Sequence, residues 1–185
     1  MEKVTKPKLE MPIPYPETLS GLVRLAVDDL EKCEADKRYR IKMDECHHVR
    51  DQNVDDPQCM PDYVCEVCFA GSVMAQSGGV PLMQRVYIDS YTREWKQLFW
   101  VLDDLRRYDL RSLCPGDGVR EPLATLLFSL TELQHRIRNE FETAMRAACL
   151  LPYDYKQNPT VFKQAMRIMA DVFEKFEKEL SDDVA

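Results

Sequence analysis

Apolar residues recur at spacings of three and four along much of this chain of 185 residues. The clearest early example follows a proline-rich entry that ends at Pro16. Its apolar positions are Leu19, Leu22, Val23, Ala26, Leu30 and Cys33. That period places one apolar stripe along an amphipathic helix, so the pattern predicts a helix over about residues 17–35.

Four later stretches have the same helical period, and each begins with a residue that favours a helix start. Asp62 precedes a predicted helix over residues 63–76, and Asp89 or Ser90 precedes a helix whose apolar stripe is Trp95, Leu98, Phe99, Leu102 and Leu105. Glu121-Pro122 begins the longest predicted helix, and Asn158-Pro159 begins the last. Aspartate, serine and asparagine cap the first amide groups of a helix, and proline is tolerated in the first turn. The sequence Ser77-Gly78-Gly79 predicts the end of the second helix.

Five helices with short connections predict an all-α fold, a single-domain bundle. The domain is expected over residues 17–180, between an extended proline-rich arm at residues 1–16 and a frayed acidic tail at residues 181–185. Near residues 38–60, Tyr39 and Ile41 alternate with charged residues, which allows one short strand or a hairpin.

The composition, with 45% hydrophobic and 31% charged residues, is typical of a globular protein. The apolar runs are far shorter than the roughly 18 residues of a membrane span, and the first residues lack the apolar core of a signal peptide. We therefore expect a cytoplasmic protein that does not bind a membrane. The seven cysteines, an odd number, are then expected to be reduced thiols.

Four of the seven cysteines and two of the three histidines lie within residues 46–68. They are Cys46, His47, His48, Cys59, Cys65 and Cys68. Zinc prefers thiolate and imidazole ligands, and Cys65 and Cys68 have the spacing of a zinc-binding pair. A second pair would have to come from the other four residues, so a module stabilised by zinc is one interpretation.

Two other interpretations of this cluster stay open. If residues 64–75 form one helix, their small side chains allow close packing against a second helix, with cysteine as a small apolar residue. This packing interpretation is favoured. Alternatively, a thiol near a helix start with a histidine in reach can act as a nucleophile, as in a thiol enzyme. No third group that would orient the histidine is recognisable, so we expect a protein without enzymatic activity and, apart from the zinc alternative, without a cofactor.

Charge is concentrated in one segment of the chain. Residues 28–66 contain twelve acidic and six basic residues and carry −6 of the formal net charge of −7. This segment would repel phosphate backbones, which disfavours direct binding of nucleic acid, and it would suit a protein partner with a basic surface. Alternatively, the acids only solvate the outer faces of a bundle. The candidate partner-binding residues are Asp28, Asp29, Glu31, Glu34, Asp36, Asp44, Glu45, Asp51, Asp55 and Asp56.

The order of "MPIPYPETLSGLVRLAVDDLEKCEAD", "CEVCFAGSVMA" and "WKQLFWVLDDLRRYDL" resembles small helical proteins encoded by bacteriophages and prophages. The likeness lies within residues 11–112. It implies no catalytic or binding residue, because no activity is established for the group. It implies a stoichiometric binder of host machinery in the bacterial cytoplasm, such as an inhibitor of a defence complex. From the charge asymmetry we expect the mechanism to be occlusion, in which the acidic face of residues 28–66 docks on a basic surface of a host protein and blocks its nucleic acid or another partner.

Overall fold

The structure, a computed structural model, describes residues 16–51, 63–83, 93–107 and 134–182. Within these residues the chain forms five helices and three strands. In chain order they are α1 (Leu19–Ala35), β1 (Tyr39–Ile41), β2 (His47–Asp51), β3 (Tyr63–Val67), α2 (Phe69–Ala75), α3 (Arg93–Arg106), α4 (Gln134–Ala147) and α5 (Pro159–Asp182). None of the helices described has both the length and the apolar character that crossing a membrane requires.

The fold is mostly helical with a small sheet, which confirms the prediction of a helical protein but not of a purely α-helical bundle. Helices α1 and α5 begin close to the predicted residues, and α2 ends before Ser77, as the glycine signal indicates. Other predictions lie outside the described residues. These concern the arm over residues 1–15, the helix starts at 62 and at 89 or 90, the first half of the predicted longest helix, and the last three residues of the tail.

The prediction of one helix over residues 63–76 is wrong for its first part. Residues 63–67 form β3, the central strand of a sheet with the order β1-β3-β2. Strand β1 pairs with β3 in parallel, and β2 pairs with it antiparallel. Residues 64–67 are all buried, so the strand has no alternation of apolar and exposed positions. A short run buried on both faces fits a helix as well as a strand, because periodicity alone does not separate the two.

The chain divides into two compact units. Among the described residues, the first unit contains 29–51, 63–83 and 93–100, and therefore the whole sheet and α2. Its core includes the residues on one face of the sheet together with parts of α1 and α2. The members are Cys33, Cys65, Val67 and Ala75, with Tyr39, Ile41, Val49 and Leu82 packed against them. One face of the sheet thus packs against the core, and the opposite face carries the buried Glu66 together with the buried Val64.

The second unit contains the described residues 16–28, 101–107 and 134–182. Its regular elements are helical, and its largest side chains are buried at helical spacing on the inner sides of α1, α3, α4 and α5. They are Leu19, Leu22, Leu102, Leu105, Ile137, Phe141, Met145, Phe162, Met166, Met169, Phe173 and Phe176. The apolar stripes predicted from the sequence for the first and last helices therefore form the core.

Helices α1 and α5 both start with a side-chain cap. Thr18 Oγ1 accepts a hydrogen bond from the amide of Gly21 at 3.1 Å, and Asn158 Oδ1 accepts one from the amide of Val161 at 3.1 Å. Each cap satisfies an amide group that has no partner within the helix, which stabilises the start by about 1 kcal/mol. The start predicted at Asn158-Pro159 is therefore confirmed.

Helix α4 ends in a Schellman motif centred on Cys149. The amide of Cys149 donates to the carbonyl of Arg146 at 3.1 Å, and the amide of Leu150 donates to the carbonyl of Met145 at 3.0 Å. This motif requires a left-handed residue after the helix, and Cys149 has a φ of 55°. Glycine adopts that conformation without strain, whereas a residue with a Cβ is strained there.

We predict that Cys149→Gly raises the free energy of unfolding by about 1 kcal/mol, because it removes the left-handed strain of an exposed residue. Urea unfolding followed by circular dichroism measures this change. The control is Cys149→Ala, which removes the thiol but keeps the Cβ and should give no gain. Equal stabilisation by alanine and glycine would show that the thiol, not the backbone conformation, is responsible.

Candidate functional site

The pairing of β2 with β3 separates the two neighbouring histidines. His47 lies opposite Val67 and His48 lies opposite Glu66 in the antiparallel register. Because successive side chains of a strand point to opposite faces, His47 is buried on the core face while His48 is exposed on the other face. The two histidines therefore cannot act in one site.

His47 and Cys65 form a buried pair, with 3.5 Å between His47 Nε2 and Cys65 Sγ. Burial, together with the neighbouring Cys33 thiol and Glu66 carboxyl group, raises the pKa of the Cys65 thiol to about 12. Burial also lowers the pKa of His47. Both groups are therefore neutral near pH 7, which is the opposite of the thiolate and imidazolium that a nucleophilic pair needs. A thiol enzyme at this position stays a prediction, and the burial of both groups does not favour it.

The same pair bears on the zinc interpretation. A sulfur about 2.3 Å and a nitrogen about 2.0 Å from a tetrahedral zinc ion are themselves about 3.5 Å apart. Among the described residues, no third cysteine, histidine, aspartate or glutamate joins the pair in a group that could hold a metal ion. Cys59 lies outside these residues. A zinc site at this pair therefore stays a prediction.

Cys46 and Cys68 have packing and capping roles where α2 meets the sheet. Cys68 Sγ accepts a hydrogen bond from the amide of Gly71 at 3.4 Å, so the thiol caps the start of α2. Cys46 Sγ lies 3.4 Å from Met74 Sδ. The carbonyl of Cys46 faces Gly71 so closely that a Cβ there would lie 1.5 Å from the carbonyl oxygen. Small residues thus permit a close approach, as the packing interpretation expects, but the approach is between a helix and the start of a strand.

The ten candidate acidic residues differ widely in exposure. Asp28, Glu34 and Asp44 are exposed, Glu31, Asp36 and Glu45 are half-buried, Asp29 is buried, and the side chains of Asp51, Asp55 and Asp56 lie outside the described residues. Asp29 Oδ1 accepts a hydrogen bond from Lys32 Nζ at 2.8 Å, and Oδ2 accepts one from the amide of Ser77 at 3.2 Å. The assignment of Asp29 to an outer acidic face is therefore wrong, because its carboxylate holds α1 to the end of α2.

The sheet face opposite the core is built around Glu66. Its side chain is only 4% exposed, and Arg50 Nε lies 2.6 Å from Glu66 Oε2. Lys42 Nζ lies 3.4 Å from the same oxygen, and Arg40 lies 3.8 Å from Oε1. Lys42 and Arg50 also pair with Glu45, at 3.2 Å and 3.6 Å. Three cationic side chains therefore share two carboxylates within the described residues.

The sequence offers only a weak signal for this arrangement. Arg40 and Lys42 alternate with apolar residues, which marks one polar face of β1, but Glu66 stands in a run that fits a helix. In the charge count Glu66 therefore contributes to the acidic character of residues 28–66, although its charge is internal. The pairing of Arg40 and His48 with Glu66 across three strands follows only from the register.

Comparisons with protein-family models, with curated proteins and with solved structures find no match to this chain.

We predict that Gly71→Ala lowers the free energy of unfolding by about 3 kcal/mol, because the new methyl group would collide with the backbone of Cys46. The matched control is Gly21→Ala, whose Cβ would meet side chains and no backbone, Thr18 Oγ1 at 2.8 Å and Pro16 Cβ at 4.0 Å, and should cost less. Urea unfolding of both variants measures the difference. Similar losses in the two variants would mean that the Cys46 carbonyl can move away.

Acid should destabilise the protein through His47. Its pKa is lowered by burial from an ordinary value of 6.5, so below that pH the unfolded chain binds a proton that the folded chain does not. The stabilisation is complete above about pH 6.5 and is lost as the pH falls toward the folded pKa. We predict that His47→Leu reduces the slope of stability against pH between about 6.5 and 5. His48→Leu, at an exposed position, is the control and should keep the wild-type slope.

Proposed function

We propose that this protein acts by stoichiometric binding to another protein, and that the contact occludes a surface which the partner uses for nucleic acid or for a further protein. The likeness of residues 11–112 to phage-encoded helical proteins supports this class of function. The proposed partner is a host protein complex of a bacterium, and a complex of a defence system is the specific case that we favour.

The proposed contact is the acidic end of α1, formed by Glu31 and Glu34. Glu34 is exposed and Glu31 is half-buried. The observation that carries the proposal is their spacing, because residues three positions apart lie on the same side of a helix and place both acids on one surface. A helix end of this sign attracts a basic protein surface and accelerates the encounter with it.

Two further acids extend the acidic character of the described surface without being required for the contact. Asp44 is exposed between β1 and β2, in the same unit as the acidic end of α1. Asp28 is exposed on α1 and belongs to the second unit. We assign the primary role to Glu31 and Glu34, because one helix end holds both.

Capture from a bacterial lysate on the immobilised protein, at low and at high salt, tests the proposal. We predict a partner that is retained at low salt and released at high salt, because charge pairs between exposed groups are screened. Recovery should fall about fivefold for the double variant Glu31→Gln/Glu34→Gln, since it removes the charges that select the partner.

The matched control is Glu17→Gln/Asp182→Asn, which removes the same charge from exposed positions in the second unit. It should leave recovery unchanged. Binding that does not respond to salt, or an equal loss in the control variant, would contradict a contact through the acidic end of α1.

A further inference from the structure

The two outer edges of the sheet differ in the backbone groups that they present. Within the described residues, no strand pairs with β1 or with β2 on the side away from β3. In a strand, the N–H and C=O groups of one residue point to one edge, and those of the next residue point to the opposite edge. The hydrogen bonds of β3 therefore identify the residues of β1 and β2 whose backbone points outward.

Alternate residues of β3 bond toward β1. The amide of Cys65 donates to the carbonyl of Arg38 at 2.9 Å, and the carbonyl of Val67 accepts a hydrogen bond from the amide of Lys42 at 2.8 Å. The backbone groups of the residues between and before them, 66 and 64, therefore point toward β2.

The outer edge of β2 presents the backbone groups of every second residue. The antiparallel register places His48 opposite Glu66 and Arg50 opposite Val64, so these two residues of β2 bond to β3. The N–H and C=O groups of the other three residues point away from the sheet. They are the groups of His47, Val49 and Asp51. A row of outward N–H and C=O groups is a template on which a further strand can pair.

The outer edge of β1 offers less to a further strand. It has three residues, and Arg40, in the middle, bonds toward β3. The outward amide of Tyr39 already donates to the carbonyl of Asp36 at 2.9 Å. Ile41 is then the residue of this described strand whose N–H can donate to an added strand. We therefore expect strand addition at β2 and not at β1.

We propose that β2 pairs with the β2 strand of a second copy of this chain, antiparallel and centred on Val49, so that two sheets join into one. In that register residue 47 lies opposite residue 51 of the second copy, and Val49 lies opposite Val49. Residues with outward backbone groups thus meet only one another, so their N–H and C=O groups can pair. The contact is isologous and therefore ends at a dimer. This surface goes beyond the acidic end of α1, since it is formed by the backbone and its partner is the chain itself.

The side chains of β2 are compatible with a copy of the same strand. Val49 is half-buried and packs against the core of the first unit, and a second valine opposite it would cover more of its apolar surface. On the other face, Arg50 already shares its charge between Glu66 at 2.6 Å and Glu45 at 3.6 Å. Two copies of β2 can therefore lie side by side without bringing uncompensated Arg50 charges together. An acidic strand from another protein would gain little from Arg50 for the same reason.

Sedimentation velocity of the full chain over a range of concentrations tests the proposal. A dimer should form as the concentration rises. Val49→Pro should weaken the association by about tenfold or more, because it removes one outward donor from each copy. Proline is tolerated on an edge strand where the N–H points away from the sheet, so the pairing of β2 with β3 should persist. Circular dichroism establishes that the variant is folded.

The matched control is Ile41→Pro. Ile41 is also half-buried, packs against the same core, and directs its N–H to the outer edge of β1. This variant should dimerise like the wild type. A monomer at every concentration, a dimer that survives Val49→Pro, or equal weakening by Ile41→Pro would overturn the proposal.

Amide hydrogen exchange of the wild-type chain, resolved by NMR, decides the question even where a proline variant does not fold. The amide of Val49 should exchange more slowly at high concentration, because the second copy protects it. The amide of His48, which bonds to β3, should exchange slowly at every concentration. Exchange at Val49 that does not depend on concentration would contradict the pairing. Since Glu31 and Glu34 stay intact throughout, the outcome is independent of the lysate experiment.

Discussion

The ion pairs of Glu66 are the interaction on which the sheet depends. Glu66 lies on the central strand, and Arg40 and Arg50 reach it from the strands on either side. A buried carboxylate that loses its cationic partner costs about 3 to 5 kcal/mol, so the strands are stable only in the register that brings these cations to it. A slip by one residue would place Glu66 on the apolar face that Cys65 and Val67 occupy. The same ion pairs therefore select the register and separate the two faces of the sheet.

The burial of Glu66 in its ion pairs changes how the acidic charge of residues 28–66 is interpreted. Residues 28–66 are strongly acidic by count, yet two of their acids, Asp29 and Glu66, are internal and bind cations. The formal charge of the segment therefore does not describe the charge that reaches the surface, because electrostatic complementarity depends on the local arrangement of charges and not on the net charge.

The sequence predicts the parts of this fold that depend on local interactions. The start of α5 follows from Asn158 and Pro159, which act within one turn of the helix. Strand β3 could not be predicted in the same way, because its apolar run has no period that separates strand from helix. The burial of Glu66 and the opposite environments of His47 and His48 both follow from pairing with distant segments. The candidate metal and acidic residues were therefore recognisable as residue types, but their grouping was not.

The order of the strands affects how the sheet forms while the chain is being translated. Strands β1 and β2 do not pair with each other, and both pair with β3, which is translated last of the three. In the parallel pair, Tyr39 lies beside Cys65, a partner 26 positions later in the chain. The emerging polypeptide therefore holds two edge segments without their shared partner until residue 67 has left the exit tunnel. During that interval the unpaired edges of β1 and β2 are open to pairing with other chains.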